Sequence, residues 1–141
     1  WGNWGKKLAI KNCELDLLSC VSVTFKKTVK LVNSHFHDCH FTFSYFLKGL
    51  KIDQCTFDDY LDFQAGGHNK EGCTITLNNN HFNGFVNFFD CWYESDVLIK
   101  GNNFTKGTNL LGKPNNIPVS FDKRLIMANN IGKLDFDTEG R

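Results

Sequence analysis

One apolar spacing recurs through the chain and leaves few folds open to it. With Φ for a large apolar side chain, Φ-x-Φ-x4-Φ occurs at Leu8/Ile10/Leu15, Val29/Leu31/Phe36, Leu50/Ile52/Phe57, Ile75/Leu77/Phe82 and Val97/Ile99/Phe104, with a looser copy at Leu125/Met127/Ile131. The first five copies end 21, 21, 25 and 22 residues apart. An interleaved set, Trp4, Phe25, Phe46, Tyr93 and Phe121, divides the period, so the unit is about 11 residues and two units make a turn of about 21. The Φ-x-Φ pieces have the period of two that belongs to strands, and no i, i+3, i+4, i+7 stripe supports a helix. Strands this short have no stability of their own. Each is held only when the copy one turn later pairs beside it at about 4.8 Å. The expected fold is all-β: a right-handed parallel β-helix, a solenoid of about six coils with about 21 residues per coil, roughly 29 Å long. At 141 residues the chain makes one such domain, 1–141.

At finer grain the inward positions step by five and six: Leu31, Phe36, Phe41, Phe46, Ile52, Phe57 and Phe63, then Leu77, Phe82, Phe88, Tyr93, Ile99, Phe104 and Leu110. A small side chain stands two residues before many centres, at Cys13, Ser34, Ser44, Cys55 and Cys91. In both respects residues 4–137 resemble imperfect, Phe-rich pentapeptide-repeat proteins, and the resemblance implies a four-faced right-handed β-helix. Six-residue units alternate with five-residue ones, and the family's Asp or Asn before the centre is replaced at His35, Tyr45, Thr56 and Trp92, so a less square cross-section is expected. The family includes acidic duplex mimics. Lys+Arg 16 against Asp+Glu 15 leaves this chain at +1, and that activity is not implied. The stacked Asn and aromatic positions also resemble, more weakly, the β-helices of polysaccharide lyases and adhesins.

Two segments break the period, near 64–74 and 111–120. Insertions in a solenoid become surface loops, often on the binding face. Both are expected to leave one corner, in coils three and five, as two walls with coil four between them. Phe89, Asp90 and Trp92 then face outward on the floor, with Tyr45 below in coil two. His68, Lys70 and Glu71 edge the floor from the first loop and Asn115 from the second. An apolar floor with polar edges is a common form of binding site; the other reading is that the loops fold down and cover Phe89 and Trp92 as a satellite core.

His35 and His37 flank the inward Phe36 and point outward together. The 21-residue columns place Glu14 and Thr56 beside His35, and Asp16 and Asp58 beside His37. Such a set has the residue types of a zinc site, but an exposed ladder that offsets like-charge stacking also accounts for it, and no metal or cofactor is expected. No carboxylate pair stands out for acid–base work, and no phosphate loop or nucleophile elbow occurs, so no catalytic residue is assigned.

The expected function is that of a non-enzymatic repeat module presenting a rigid surface to a protein or other ligand. The alternative is a carbohydrate-active β-helix: polysaccharide-binding, lyase/hydrolase or adhesin fragment. The charge balance argues against a nucleic-acid partner, and no apolar run approaches the roughly 20 residues of a membrane helix. An open coil end invites a homodimer. Trp1 and Trp4 are expected to cap the first coil, and Asp135–Glu139 to blunt the last. Cys13, Cys55 and Cys91 occupy the small inward slot, and Cys13 and Cys55 lie two coils apart, near 10 Å, beyond the roughly 7 Å limit for a disulfide. Mostly free, buried thiols fit a reducing compartment, so a cytoplasmic rather than an exported chain is expected. The start, Trp1-Gly-Asn-Trp4, has no Met and no signal layout, so a piece of a longer or processed chain is expected.

Overall fold

In a computed structural model describing residues 1–141, parallel strands stack turn upon turn and no α-helix occurs. The most regular face is a six-stranded sheet of Leu8–Lys11, Val29–Val32, Leu50–Asp53, Ile75–Asn78, Val97–Lys100 and Leu125–Ala128. Burial alternates along the first five of these strands as the sequence does: Val29 and Leu31 are inside and Lys30 outside, and likewise Leu50 and Ile52 around Lys51. The expected six coils are six rungs enclosing about five turns, spaced about 22 residues apart. Cross-coil bonds after this face show the unequal steps. Cys13 meets Ser34 at a separation of 21, Cys55 meets Asn80 at 25, Asn80 meets Asn102 at 22 and Asn102 meets Asn130 at 28.

The interior is a set of parallel ladders. Phe36, Phe57, Phe82 and Phe104 stack at ring separations of 5.0, 5.4 and 5.0 Å, all fully buried. Phe41, Phe63 and Phe88 form a second stack, and Phe25 with Phe46 a third. A repeat 21 residues long brings like onto like. Offset parallel rings then add about 0.5–1.5 kcal/mol per pair beyond the area they bury.

The corners follow from small departures in the repeat. In coil two a single strand, His35–His40, runs past both Phe36 and Cys39. In coil three the same path is divided into Thr56–Phe57 and Leu61–Asp62. Phe36 pairs with Phe57 but Cys39 pairs with Leu61, so coil three carries one residue more. A paired ladder has no place for it, and it is taken up as an added corner that the first two coils lack. At the corner after the six-stranded face the chain takes the left-handed conformation in every coil, at Asn12, Asn33, Gln54, Asn79, Gly101 and Asn129. Asn tolerates that region better than most residues, which accounts for its recurrence there.

The ends differ from expectation. The first coil is only partly capped: Trp1 lies on the outer face, and Trp4, Leu17 and Val21 remain exposed. Cys13, expected in the inward slot, is exposed because no coil packs below it. Asp135–Glu139 does not blunt the last coil but runs back down the side of the solenoid. Phe136 packs on Phe85, Tyr60 donates its hydroxyl to the Glu139 carbonyl at 2.6 Å, and the Arg141 guanidinium reaches Gln64 at 3.0 Å and Asp62 at 3.6 Å.

Candidate functional site

Another face is built from Gly2–Trp4, Val23–Phe25 and Tyr45–Phe46, and then from Trp92–Tyr93 and Ser120–Phe121. Gly67 joins the two groups, bridging Tyr45 on one side and Trp92 on the other. A Cβ on Gly67 would lie 2.4 Å from the Trp92 carbonyl oxygen, and its φ is +104°, so only glycine fits. His68 follows with φ +57°, and this pair of left-handed residues turns the chain outward. The His68 ring therefore lies 4.1 Å from Tyr45 and 5.4 Å from Trp92 on the outer surface. Trp1 extends the row. Its ring is 4.8 Å from Tyr45, and its indole N–H donates to Thr24 Oγ1 at 2.7 Å. Trp1, Tyr45, His68 and Trp92 thus form one continuous external row, with Trp92 45% exposed.

Charged groups edge the row. Lys70 Nζ donates to both Glu94 oxygens at 2.9 and 3.2 Å, and His68 Nδ1 lies 3.2 Å from the same carboxylate. Lys70 first, and then His68, hold the Glu94 carboxyl below the usual range. The Trp92 indole N–H donates to Asp122 Oδ2 at 2.9 Å. Asn69, fully buried, donates to the Cys73 and Asp96 carbonyls and accepts the Glu94 N–H, which pins the segment that carries His68 and Lys70.

Of the residues singled out in the sequence, Tyr45, His68, Lys70 and Trp92 come together here. Phe89 is half-buried at the preceding corner, and its N–H is taken by Asn87 Oδ1. Asp90 is exposed beside it in a left-handed turn. Glu71 and Asn115 are exposed on their loops, Asn115 in the turn Pro114–Asn116. The two insertions do not share a corner. The first begins after Gly67 and the second ends before Ser120, and both of those residues pair with Trp92. One insertion therefore follows the aromatic face and the other precedes it. The first is no free wall either: the His68 and Lys70 N–H groups donate to the Trp92 and Leu47 carbonyls, and Asn69 is bonded to Asp96 and Glu94 of the next coil.

Trp1, Glu94 and Asp122 were not found from the sequence. Glu94 stands two residues after the outward Trp92, where strand alternation alone would have shown it, and Asp122 lies one turn beyond. Trp1 precedes the first repeat unit, so no periodic signal marked it.

The histidine cluster lies on a different face, in the strands Glu14–Ser19 and His35–His40. Register sets Glu14 opposite His35 and, through Leu15 opposite Phe36, Asp16 opposite His37. Two of the three close contacts are diagonal, Glu14 to His37 and Asp58 to His35, while Asp58 meets His37 straight across, as its column expects. His37 Nε2 meets Glu14 Oε1 at 2.9 Å, and Asp58 reaches His35 Nε2 at 2.8 Å and His37 Nδ1 at 2.6 Å. Asp16 is exposed and joins none of these pairs. The Glu14 hydrogen bond, helped by Asp58, raises the His37 pKa, and His35 foremost holds Asp58 low. Among the remaining carboxylates, Asp62 is buried and engaged by Thr42, Asn87 and the Gln64 N–H.

The chain matches no family model, no curated protein and no solved structure.

Proposed function

We propose that the chain is a non-enzymatic solenoid module of pentapeptide-repeat type whose outer aromatic face docks a protein partner. The row Trp1, Tyr45, His68 and Trp92 carries this reading. Trp and Tyr are the side chains that most often supply binding energy at protein interfaces, and here Tyr45 and Trp92 stand on paired backbone with a charged rim of Lys70, Glu94 and Asp122. Neighbouring rings are tilted by 49° to 64°, so the row is ridged rather than flat. Ridges suit the side chains of a protein loop. The pentapeptide assignment rests on the steps of five and six and on the small inward slot, where Ser34, Ser44, Cys55 and Cys91 are buried. All six cysteines are free, which supports a reducing, cytoplasmic setting.

A carbohydrate ligand is the second reading, favoured by two carboxylates, Glu94 and Asp122, beside an exposed Trp92. Photo-crosslinking with a probe next to Trp92, in wild type and in folded Trp92→Ala and Tyr45→Ala variants, separates the two. A partner trapped by wild type and lost in both variants supports the protein reading. Glycan-dependent quenching of Trp92 fluorescence supports the second. Neither result with an intact fold rejects both.

A further inference from the structure

We propose that Glu14, His35 and His37 bind one zinc-class divalent cation on the outer face of coils one and two, with Asp58 as the carboxylate that positions both rings. An imidazole coordinates through one nitrogen, and in protein metal sites its other N–H is almost always held by a carboxylate, a carbonyl or water. Asp58 fills that role twice. Its Oδ1 is 2.8 Å from His35 Nε2 and its Oδ2 is 2.6 Å from His37 Nδ1. The nitrogens left for a metal are His35 Nδ1 and His37 Nε2, and both face Glu14 Oε1, at 4.0 and 2.9 Å.

Donor atoms of the three residues lie within 4.8 Å of one another. Ligands about 2.1 Å from a tetrahedral zinc stand roughly 3.4 Å apart, so the two measured separations bracket what the ion needs. Two His and one Glu is a known catalytic-type zinc set that leaves a coordination position open to water. An ordinary charge ladder along the strands would pair Glu14 with His35 and Asp16 with His37. Here Glu14 and Asp58 each approach both rings and Asp16 approaches neither, and Asn83 Nδ2 reaches Asp58 Oδ1 at 3.4 Å from the next coil. The site stands apart from the aromatic face and does not depend on its reading.

Zinc titrated into the metal-free chain, followed by calorimetry and by thermal unfolding, tests the assignment. One ion per chain and a rise of several degrees at micromolar zinc are expected. His35→Gln and His37→Gln should each weaken binding at least tenfold. Asp58→Asn should weaken it by about 10–100-fold with the stoichiometry kept, while Asp16→Ala leaves it unchanged. All four positions are on the surface, and circular dichroism confirms that each variant folds. Cobalt in place of zinc should give a visible ligand-field spectrum with no thiolate charge-transfer band, which separates this site from the exposed Cys13. Absence of binding by the wild type, full affinity in His37→Gln, loss of affinity in Asp16→Ala, or a thiolate band would each overturn the proposal.

Discussion

At the scale of single residues the solenoid depends on side chains that repeat themselves. Phe57 sits mid-stack between Phe36 and Phe82, in ring contact with both. Phe57→Ala removes a buried ring where the paired strands on either side restrict collapse, and should cost about 3–5 kcal/mol in chemical unfolding. A cost under about 1 kcal/mol would mean that the column does not hold the coils together. The thiols give a second reading of the same interior. Burial pushes the Cys91 thiol up to about 12 and raises Cys39 well above its ordinary value, whereas Cys13 is exposed. Ellman's reagent should therefore label Cys13 quickly, and Cys39 and Cys91 only after unfolding. Rapid labelling of all six in the folded protein would contradict the packing described here. Phe57 as an inward residue was plain from the spacing. Cys13 was misplaced because the spacing gives direction, inward or outward, and carries no information on whether a neighbouring coil is there to cover it.

Between coils, the elements are tied by amide ladders and by a few ion pairs. Asn80, Asn102 and Asn130 form a chain of side-chain bonds. Asn102 Oδ1 accepts the backbone N–H and Nδ2 of Asn80, and its own Nδ2 donates to the Leu77 carbonyl and to Asn130 Oδ1. Asn102→Ala orphans buried groups on both sides, at about 1–3 kcal/mol for each. Asn130→Ala, at the last rung and half-exposed, should cost less. Equal losses by urea unfolding would show that the ladder is not continuous. Glu94 and Asp96 connect neighbouring coils through Lys70 and Arg124, and these partners lower both carboxyl pKa values. A depressed folded-state pKa contributes stability that is fully present above the ordinary carboxyl value and is lost as pH falls through the folded one. The melting temperature should accordingly fall below pH 4.5, the ordinary Glu value. Asp96→Asn should flatten part of that limb, and an unchanged acid profile would remove these pairs from the account. The strands and their order were legible because Φ-x-Φ is a local signal. The pairing of Lys70 with Glu94 was not, because the first insertion breaks the register between them.

For the whole molecule, a net charge of +1 conceals an uneven distribution. Residues 1–51 hold eight of the 16 basic residues and only Glu14, Asp16 and Asp38 of the 15 acidic ones, so the early coils are positive and the later ones negative. Lys30 and Lys51 occupy facing positions on adjacent rungs, where like charges repel. Near its pI of about 7.8 the protein should still be retained on a cation exchanger, and Lys30→Gln with Lys51→Gln should elute at lower salt. Passage of the wild type without retention would show that the asymmetry has no reach. The sequence by itself determined the strand positions, the inward set, the stacked Phe columns and the count of rungs. These follow from two repeats, two residues along a strand and about 21 along the chain, that recur from coil to coil; the inward set fails only where, as at Cys13, no further coil covers it. The tertiary structure alone decided the outward turn of His68 into the aromatic row, the place of Trp1, the return of the C-terminal segment along the side, and the convergence of Glu14, His35, His37 and Asp58. Each of these lies where the repeat is interrupted, has not begun, or has ended, or depends on how long side chains lean across coils. Periodicity fixes the direction a side chain leaves the backbone; the neighbours it meets are set by the whole stack.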